Sequence, residues 1–171
     1  THHNFPPVNA FDGDSVSQWV AYQSELPDVF LQFQFYNMQK HKVTRYVVTS
    51  LNRGGRKRNP ASWKLQGINA EDKIAGTWTD LDTVVGEPTW GENEARTYVV
   101  DFPGEYEYYR FLITESQHSG DYVGIAGLDF YSDRDEEIPW EPQTKRTYDF
   151  TMEGGYQFYR FVFSDVWDIS S

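Results

Sequence analysis

The sequence predicts an all-β fold, an antiparallel sandwich or barrel. Three observations carry that prediction. β-Branched and aromatic residues recur in segments of four to nine residues, the length and composition of strands. Gly, Pro, Asn or Asp punctuates the gaps between them. No window sustains the i, i+3, i+4, i+7 apolar spacing that would bury one stripe of a helix. Along the chain, residues 29–35 (VFLQFQF) alternate with period two and put Phe33 and Phe35 on one face. Residues 43–49 (VTRYVVT), 62–67 (SWKLQG), 97–102 (TYVVDF), 108–113 (YYRFLI) and 123–131 follow the same chemistry. Many short strands joined by turn residues build a sandwich or a barrel.

Composition narrows the class further. The chain has 171 residues, a net charge of −11 and no cysteine, and aromatic residues make up 18% of it. That length supports one sizeable core, so one domain, or one domain and a fragment, is expected. Without Cys there is no disulfide framework, thiolate metal site or cysteine nucleophile. The acidic balance argues against general nucleic-acid binding, which needs a positive footprint. No apolar run approaches the roughly 20 residues of a membrane-spanning helix. Acidic disordered chains are poor in aromatics, and this one is rich. The first residue is Thr, so a processed start and an extracellular or secreted protein are expected.

One internal repeat stands out. Residues 97–113 (TYVVDFPGEYEYYRFLI) and 147–163 (TYDFTMEGGYQFYRFVF) align without gaps at an offset of 50, with seven of 17 positions identical. The charged, proline-bounded stretch between them reads as a linker. The expected division is a module over 1–132, a linker over 133–146, and a partial second repeat or edge β segment over 147–171.

Several groups of residues invite a chemical reading. In Asn9-Ala10-Phe11-Asp12-Gly13-Asp14-Ser15-Val16-Ser17 two carboxylates flank a Gly. Such a loop offers the oxygen ligands that Ca²⁺ takes, or else closes on itself as an Asx-turn. In Asn52-Arg53-Gly54-Gly55-Arg56-Lys57-Arg58-Asn59-Pro60 four of the 15 basic residues fall within six positions. Either they clamp an anionic or polyhydroxylated ligand through the donor forks of Arg, or they balance the protein's own charge. Tyr22, Trp90, Tyr122 and Trp140 fall in expected loops, where rings can stack on sugar faces; Trp90 is the best surface candidate. Trp19, Trp63 and Trp78 follow strand patterning and are expected in the core. Glu105 and Glu107 lie at strand spacing, as on a wet sheet face. None of the usual catalytic spacings occurs, so an enzyme is not expected.

The order of these motifs resembles the discoidin, or coagulation factor V/VIII type C, family. Asn9-Ala10-Phe11-Asp12-Gly13-Asp14, Trp19 and Pro27-Asp28-Val29-Phe30-Leu31-Gln32-Phe33 are similar to its opening. Asn59-Pro60-Ala61-Ser62-Trp63-Lys64-Leu65-Gln66-Gly67, Gly76-Thr77-Trp78-Thr79-Asp80-Leu81, Tyr106-Glu107-Tyr108-Tyr109-Arg110-Phe111 and Ile125-Ala126-Gly127-Leu128-Asp129-Phe130-Tyr131 follow in the family's order. The resemblance implies an eight-stranded antiparallel jelly-roll β-sandwich of the galactose-binding-like type, here with an extra C-terminal β segment. It also implies a non-catalytic module that binds carbohydrate, phospholipid head groups or protein through loops at one end.

By that resemblance a structural Ca²⁺ would take the Ala10 carbonyl, Asp12, Asp14 and Ser17. The Glu with which many members complete the site is replaced by Gly127. Sugar-binding members place a His after the first Trp, where this chain has Val20; Arg53 and Asn59 stand at the other two sugar-contacting positions. The expected function is a lectin or adhesion module binding a glycan or glycoprotein through Arg53, Arg56, Arg58, Asn59, Trp90, His118 and Tyr122. The alternative is a structural protein–protein module of a larger assembly. The family's first strand has little counterpart in residues 1–8, so an open sheet edge is expected. The C-terminal repeat would cover that edge in its own chain, or a neighbour's edge by self-association.

Overall fold

Strand pairing follows the alternation that the sequence announces. A computed structural model of the chain describes residues 5–35, 39–51, 58–72, 76–118 and 120–132, and the backbone of Thr147–Phe150 and Tyr159–Val162. The strands are β1 (Trp19–Tyr22), β2 (Val29–Gln34), β3 (His41–Lys42), β4 (Arg45–Thr49), β5 (Pro60–Ile68), β6 (Thr79–Val84) and β7 (Ala95–Val99). They continue as β8 (Glu105–Tyr106), β9 (Tyr108–Ser116), β10 (Tyr122–Ile125), β11 (Gly127–Tyr131), β12 (Thr147–Phe150) and β13 (Tyr159–Val162). Two short 3₁₀ turns, Pro7–Ala10 and Gln23–Glu25, flank β1.

One sheet runs β13-β12-β2-β9-β5-β6 and a second runs β11-β4-β7, all antiparallel. Their inner faces meet as a sandwich. Phe33 on β2 lies 4.5 Å, ring to ring, from Phe130 on β11. Trp63 on β5 meets Tyr98 on β7 edge-on at 5.1 Å. Leu31, Tyr46, Trp63, Leu65, Phe111 and Ile113 are fully buried in this core. Such rings bury the largest apolar areas and prefer tilted or edge-on contacts.

A polar chain crosses the core. Trp63 Nε1 donates to Tyr46 Oη at 2.9 Å, and Tyr46 Oη donates to Asp82 Oδ2 at 2.6 Å. Burial pushes the Asp82 carboxyl above its ordinary range, against the hydrogen bond from Tyr46, with Asp101 adding a like charge. Burial, then the bond to Asp82, raises the Tyr46 phenol too. A buried carboxylate without a donor would be far costlier.

Two smaller sheets complete the described structure. β3 pairs with β8, and β1 with β10 in the register Trp19↔Ile125, Val20↔Gly124, Ala21↔Val123, Tyr22↔Tyr122. A Cβ at Gly124 would stand 2.1 Å from the Trp19 carbonyl oxygen. Only Gly permits so close a backbone approach. β12 pairs with the edge of β2 at Thr147↔Gln34, and β13 with β12. The described backbone of β12 and β13 thus lies beside β2 of its own chain. Residues 133–146, expected as a linker, lie outside the described residues.

Two expectations are corrected. Trp78 is not a core residue: it is half-buried, with the Arg110 guanidinium 4.4 Å over its ring. Glu105 and Glu107 do not share a wet face. Glu107 is buried because its carboxylate accepts the Ala70 N–H at 2.7 Å and so fixes a turn, whereas Glu105 is exposed.

Candidate functional site

The described parts of the β4–β5, β6–β7 and β9–β10 loops and the β1–β2 connection gather at one end of the sandwich. The register requires it: β5 begins where β9 ends (Pro60↔Ser116), and β2 begins beside the same end of β9 (Val29↔Ile113). β1 and β10 bring Tyr22 and Tyr122 opposite one another at this end. Their rings stand 5.3 Å apart at 37°. The Arg58 guanidinium lies 4.9 Å over the Tyr122 ring, a cation–π contact that steadies both groups. Tyr22 keeps 39% of its surface exposed.

These rings border an open cleft of about 510 Å³, lined by Tyr22, Gln23, Ser24, Gly120, Asp121 and Tyr122. The cleft is locally braced. Gln23 N–H donates to the Asp121 carbonyl at 2.9 Å. Gly120 N–H donates to Gln23 Oε1 at 3.0 Å. Gly124 N–H donates to the Arg58 carbonyl at 2.9 Å, tying β10 to the start of β5. Aromatic faces beside amide, hydroxyl and carboxylate groups suit a polyhydroxylated ring: the apolar face stacks and the hydroxyls find partners.

The sequence-derived residues divide among several fates. Arg58 and Tyr122 come together at the cleft. His118 is exposed in the β9–β10 loop, and its carbonyl accepts the Gly120 N–H at 3.0 Å. Arg53 and Arg56 lie outside the described residues, as does Trp140. Trp90 is corrected: it is 7% exposed and belongs to the core. Its indole N–H donates to the Pro60 carbonyl at 3.0 Å and Arg96 lies 4.3 Å over its ring, so the side chain turns inward from a polar loop. Asn59 is corrected as well. It is 6% exposed and its Oδ1 accepts the Leu51 N–H at 2.9 Å, so it anchors a loop base rather than facing a ligand. Gln23, Ser24, Gly120 and Asp121 were not singled out by sequence, since nothing local marks a cleft closed across β1 and β10.

The Asp12–Asp14 loop precedes β1, at the opposite end of that strand from Tyr22. Asp12 Oδ1 accepts the Asp14 N–H at 2.9 Å and Asp14 Oδ1 accepts the Val16 N–H at 2.8 Å. Ser17 Oγ contacts Asp12 Oδ2, the Asn9 carbonyl at 3.3 Å and the Asp14 carbonyl at 3.3 Å. The convergent oxygens match a hard cation in chemistry. They fall short in charge: no group of three or more acidic, His or Cys residues comes together among the described residues, and Gly127 brings no carboxylate.

The two packed sheets, with this cleft at one end, define a fold class, the all-β antiparallel sandwich. No family model matches the sequence, and no curated protein matches it. Solved structures do. The family 32 carbohydrate-binding module of Streptococcus pneumoniae EndoD superposes with a TM-score of 0.59 at 16% identity, over 78% of this chain and 89% of that one. An F5/8 type C domain from Bacteroides fragilis gives 0.60 at 14% identity, over 76% and 82%. The family 32 module of C. perfringens NanJ, solved in complex with galactose, gives 0.55 at 20% identity, over 77% and 88%. The domain therefore has the discoidin-like fold shared by family 32 carbohydrate-binding modules and F5/8 type C domains.

Proposed function

We propose that the domain is a non-catalytic carbohydrate-binding module whose ligand seats in the cleft that Tyr22 and Tyr122 border. The stack of Arg58, Tyr122 and Tyr22 along that cleft carries the proposal. Neighbours of the same fold include a module solved with galactose and one solved with GalNAc-β-1,3-galactose. Tyr22 supplies a stacking face; Gln23, Ser24 and Asp121 supply hydrogen-bonding groups; Arg58 holds the Tyr122 ring and adds donors. An extracellular setting on glycans or glycoproteins belongs to the same reading. So does a weak Ca²⁺ site held by Asp12, Asp14, Ser17 and neighbouring main-chain carbonyls, where the ion would stiffen the approach to β1. A glycan array, followed by calorimetry with galactose on the wild type, Tyr22→Ala and Tyr122→Ala, tests the function. Retention of a glycan by the wild type and at least tenfold weakening in both variants is expected, since truncating an aromatic anchor of a binding site costs about 2 kcal/mol or more. No retained glycan, or binding indifferent to both changes, overturns it.

A second reading rests on the pairing of β12 with the edge of β2. A strand that covers its own edge in one copy fits the same edge of another, which makes the domain an assembly element. Concentration-dependent mass that disappears on deletion of residues 147–171 supports that role.

A further inference from the structure

Three of the loops at the cleft end converge on one residue that does not line the cleft. Gln117 directly follows β9 and stands at the start of the β9–β10 loop. Its backbone N–H donates to the Asn59 carbonyl at 3.0 Å, at the base of the β4–β5 loop. Its Nε2 donates to the Glu87 carbonyl at 3.1 Å and the Pro88 carbonyl at 2.8 Å, both in the β6–β7 loop. Its Oε1 accepts the Trp90 N–H at 3.3 Å. The orientation of the amide is forced, because two carbonyls must face nitrogen and one N–H must face oxygen.

The far side of this junction is itself fixed. Arg96 Nη1 pairs with Glu87 Oε1 at 2.6 Å and donates to the Pro88 carbonyl at 2.9 Å; Arg96 Nη2 donates to the Thr89 carbonyl at 3.0 Å. Trp90 is pinned through Pro60. The β6–β7 loop is thus a rigid post. Through its carboxamide, Gln117 bonds two carbonyls of that post and the Trp90 amide to the segment that leads into Gly120, Asp121 and Tyr122.

We infer that Gln117 is a positioning residue that sets the cleft by clasping the β9–β10 loop to the β6–β7 loop. Its role rests on the carbohydrate reading of the cleft, but its geometry does not. Without the amide the loop keeps its hydrogen bonds to Gln23 and is released from the post, so Tyr122 no longer holds one position against Tyr22 and Arg58. Affinity then falls because a fraction of the molecules lacks the competent cleft. Glu at this position has the right size and the wrong chemistry: it turns two donors into acceptors against two carbonyls.

The test uses the full chain as wild type, Gln117→Ala and Gln117→Glu. Proton NMR reads the through-space cross-peaks between the Tyr22 and Tyr122 rings, thermal unfolding reads stability, and calorimetry with galactose reads binding. In both variants the cross-peaks are expected to weaken or broaden and galactose to bind about tenfold more weakly, with the unfolding midpoint moved by only a few degrees. Cross-peaks that persist at full intensity in both variants overturn the positioning role. So does a midpoint collapse with the cross-peaks unchanged below it, which marks a purely structural amide. A wild type that binds no galactose, with cross-peaks weakened in the variants, removes galactose as the ligand and leaves the clasp standing.

Discussion

Tyr46→Phe removes one oxygen from the middle of the core and orphans two partners at once. In the wild type that hydroxyl accepts from the Trp63 indole and donates to Asp82, and Asp82 is only 7% exposed. A hydrogen bond to a charged acceptor contributes about 1.5–3 kcal/mol, and a buried donor left unpaired costs about 1–3 kcal/mol. Some relaxation is expected, so a loss of about 3 kcal/mol at neutral pH is the working figure. In a domain of this size that lowers the melting midpoint by roughly 6–12 °C. The pH dependence is the sharper readout. The folded Asp82 carboxyl sits above its ordinary value because of burial. Its contribution to stability is therefore complete below the unfolded carboxylate value of about 3.9 and is lost as pH rises through the raised folded value. Losing the Tyr46 donor raises that folded value further. The deficit of Tyr46→Phe should hence be smallest near pH 4 and grow toward pH 7. Urea unfolding of both proteins across that range measures it. A deficit under about 1 kcal/mol at neutral pH, or one that does not change with pH, would refute the reasoning.

Two other outcomes follow from the geometry. Gly124→Ala places a methyl 2.1 Å from the Trp19 carbonyl oxygen; β1 must leave β10, at a cost of about 3 kcal/mol, and hydrogen exchange of the β1 amides should rise well above that of β5 and β9. Unchanged exchange at Ala21, which stands in a hydrogen-bonded pair with Val123, would contradict the close approach. Added Ca²⁺ should raise the melting midpoint of the wild type and leave Asp12→Asn unmoved; at about one hundred times the dissociation constant the gain is about 2.7 kcal/mol, and equal midpoints in calcium and in chelator would exclude the ion.

Legibility in the sequence tracked how local the cause was. β2, β4 and β9 were readable because one buried face writes a period of two into the residues, and β5, buried along nearly its whole length, by its strand-forming composition. The run 123–131 reads as one strand and is two, because at Ala126, whose N–H donates to the Thr49 carbonyl at 2.8 Å, the chain leaves β1 for β4. No composition signal marks a change of partner. Trp90 reads as a surface residue for a related reason. A loop rich in Glu, Pro and Gly looks wet, yet Arg96 and the Pro60 carbonyl offer its indole two partners inside. Trp78 errs in the other direction, since strand-like flanks do not say which face of a sheet receives a side chain. Within the site, Arg58 and Tyr122 were visible as types. The pairing of Tyr22 with Tyr122, one hundred residues later in the sequence, was not, because it exists only once β1 and β10 are zipped.

The placement of the two tyrosines on the four-residue β1–β10 ribbon has a thermodynamic consequence. A two-stranded ribbon is marginal alone, but the inner face of this one, Trp19, Ala21, Val123 and Ile125, belongs to the buried core. The two tyrosines proposed to hold a glycan are therefore seated on the mass that endures, and a substitution that loosens those four side chains would cost affinity and melting temperature together.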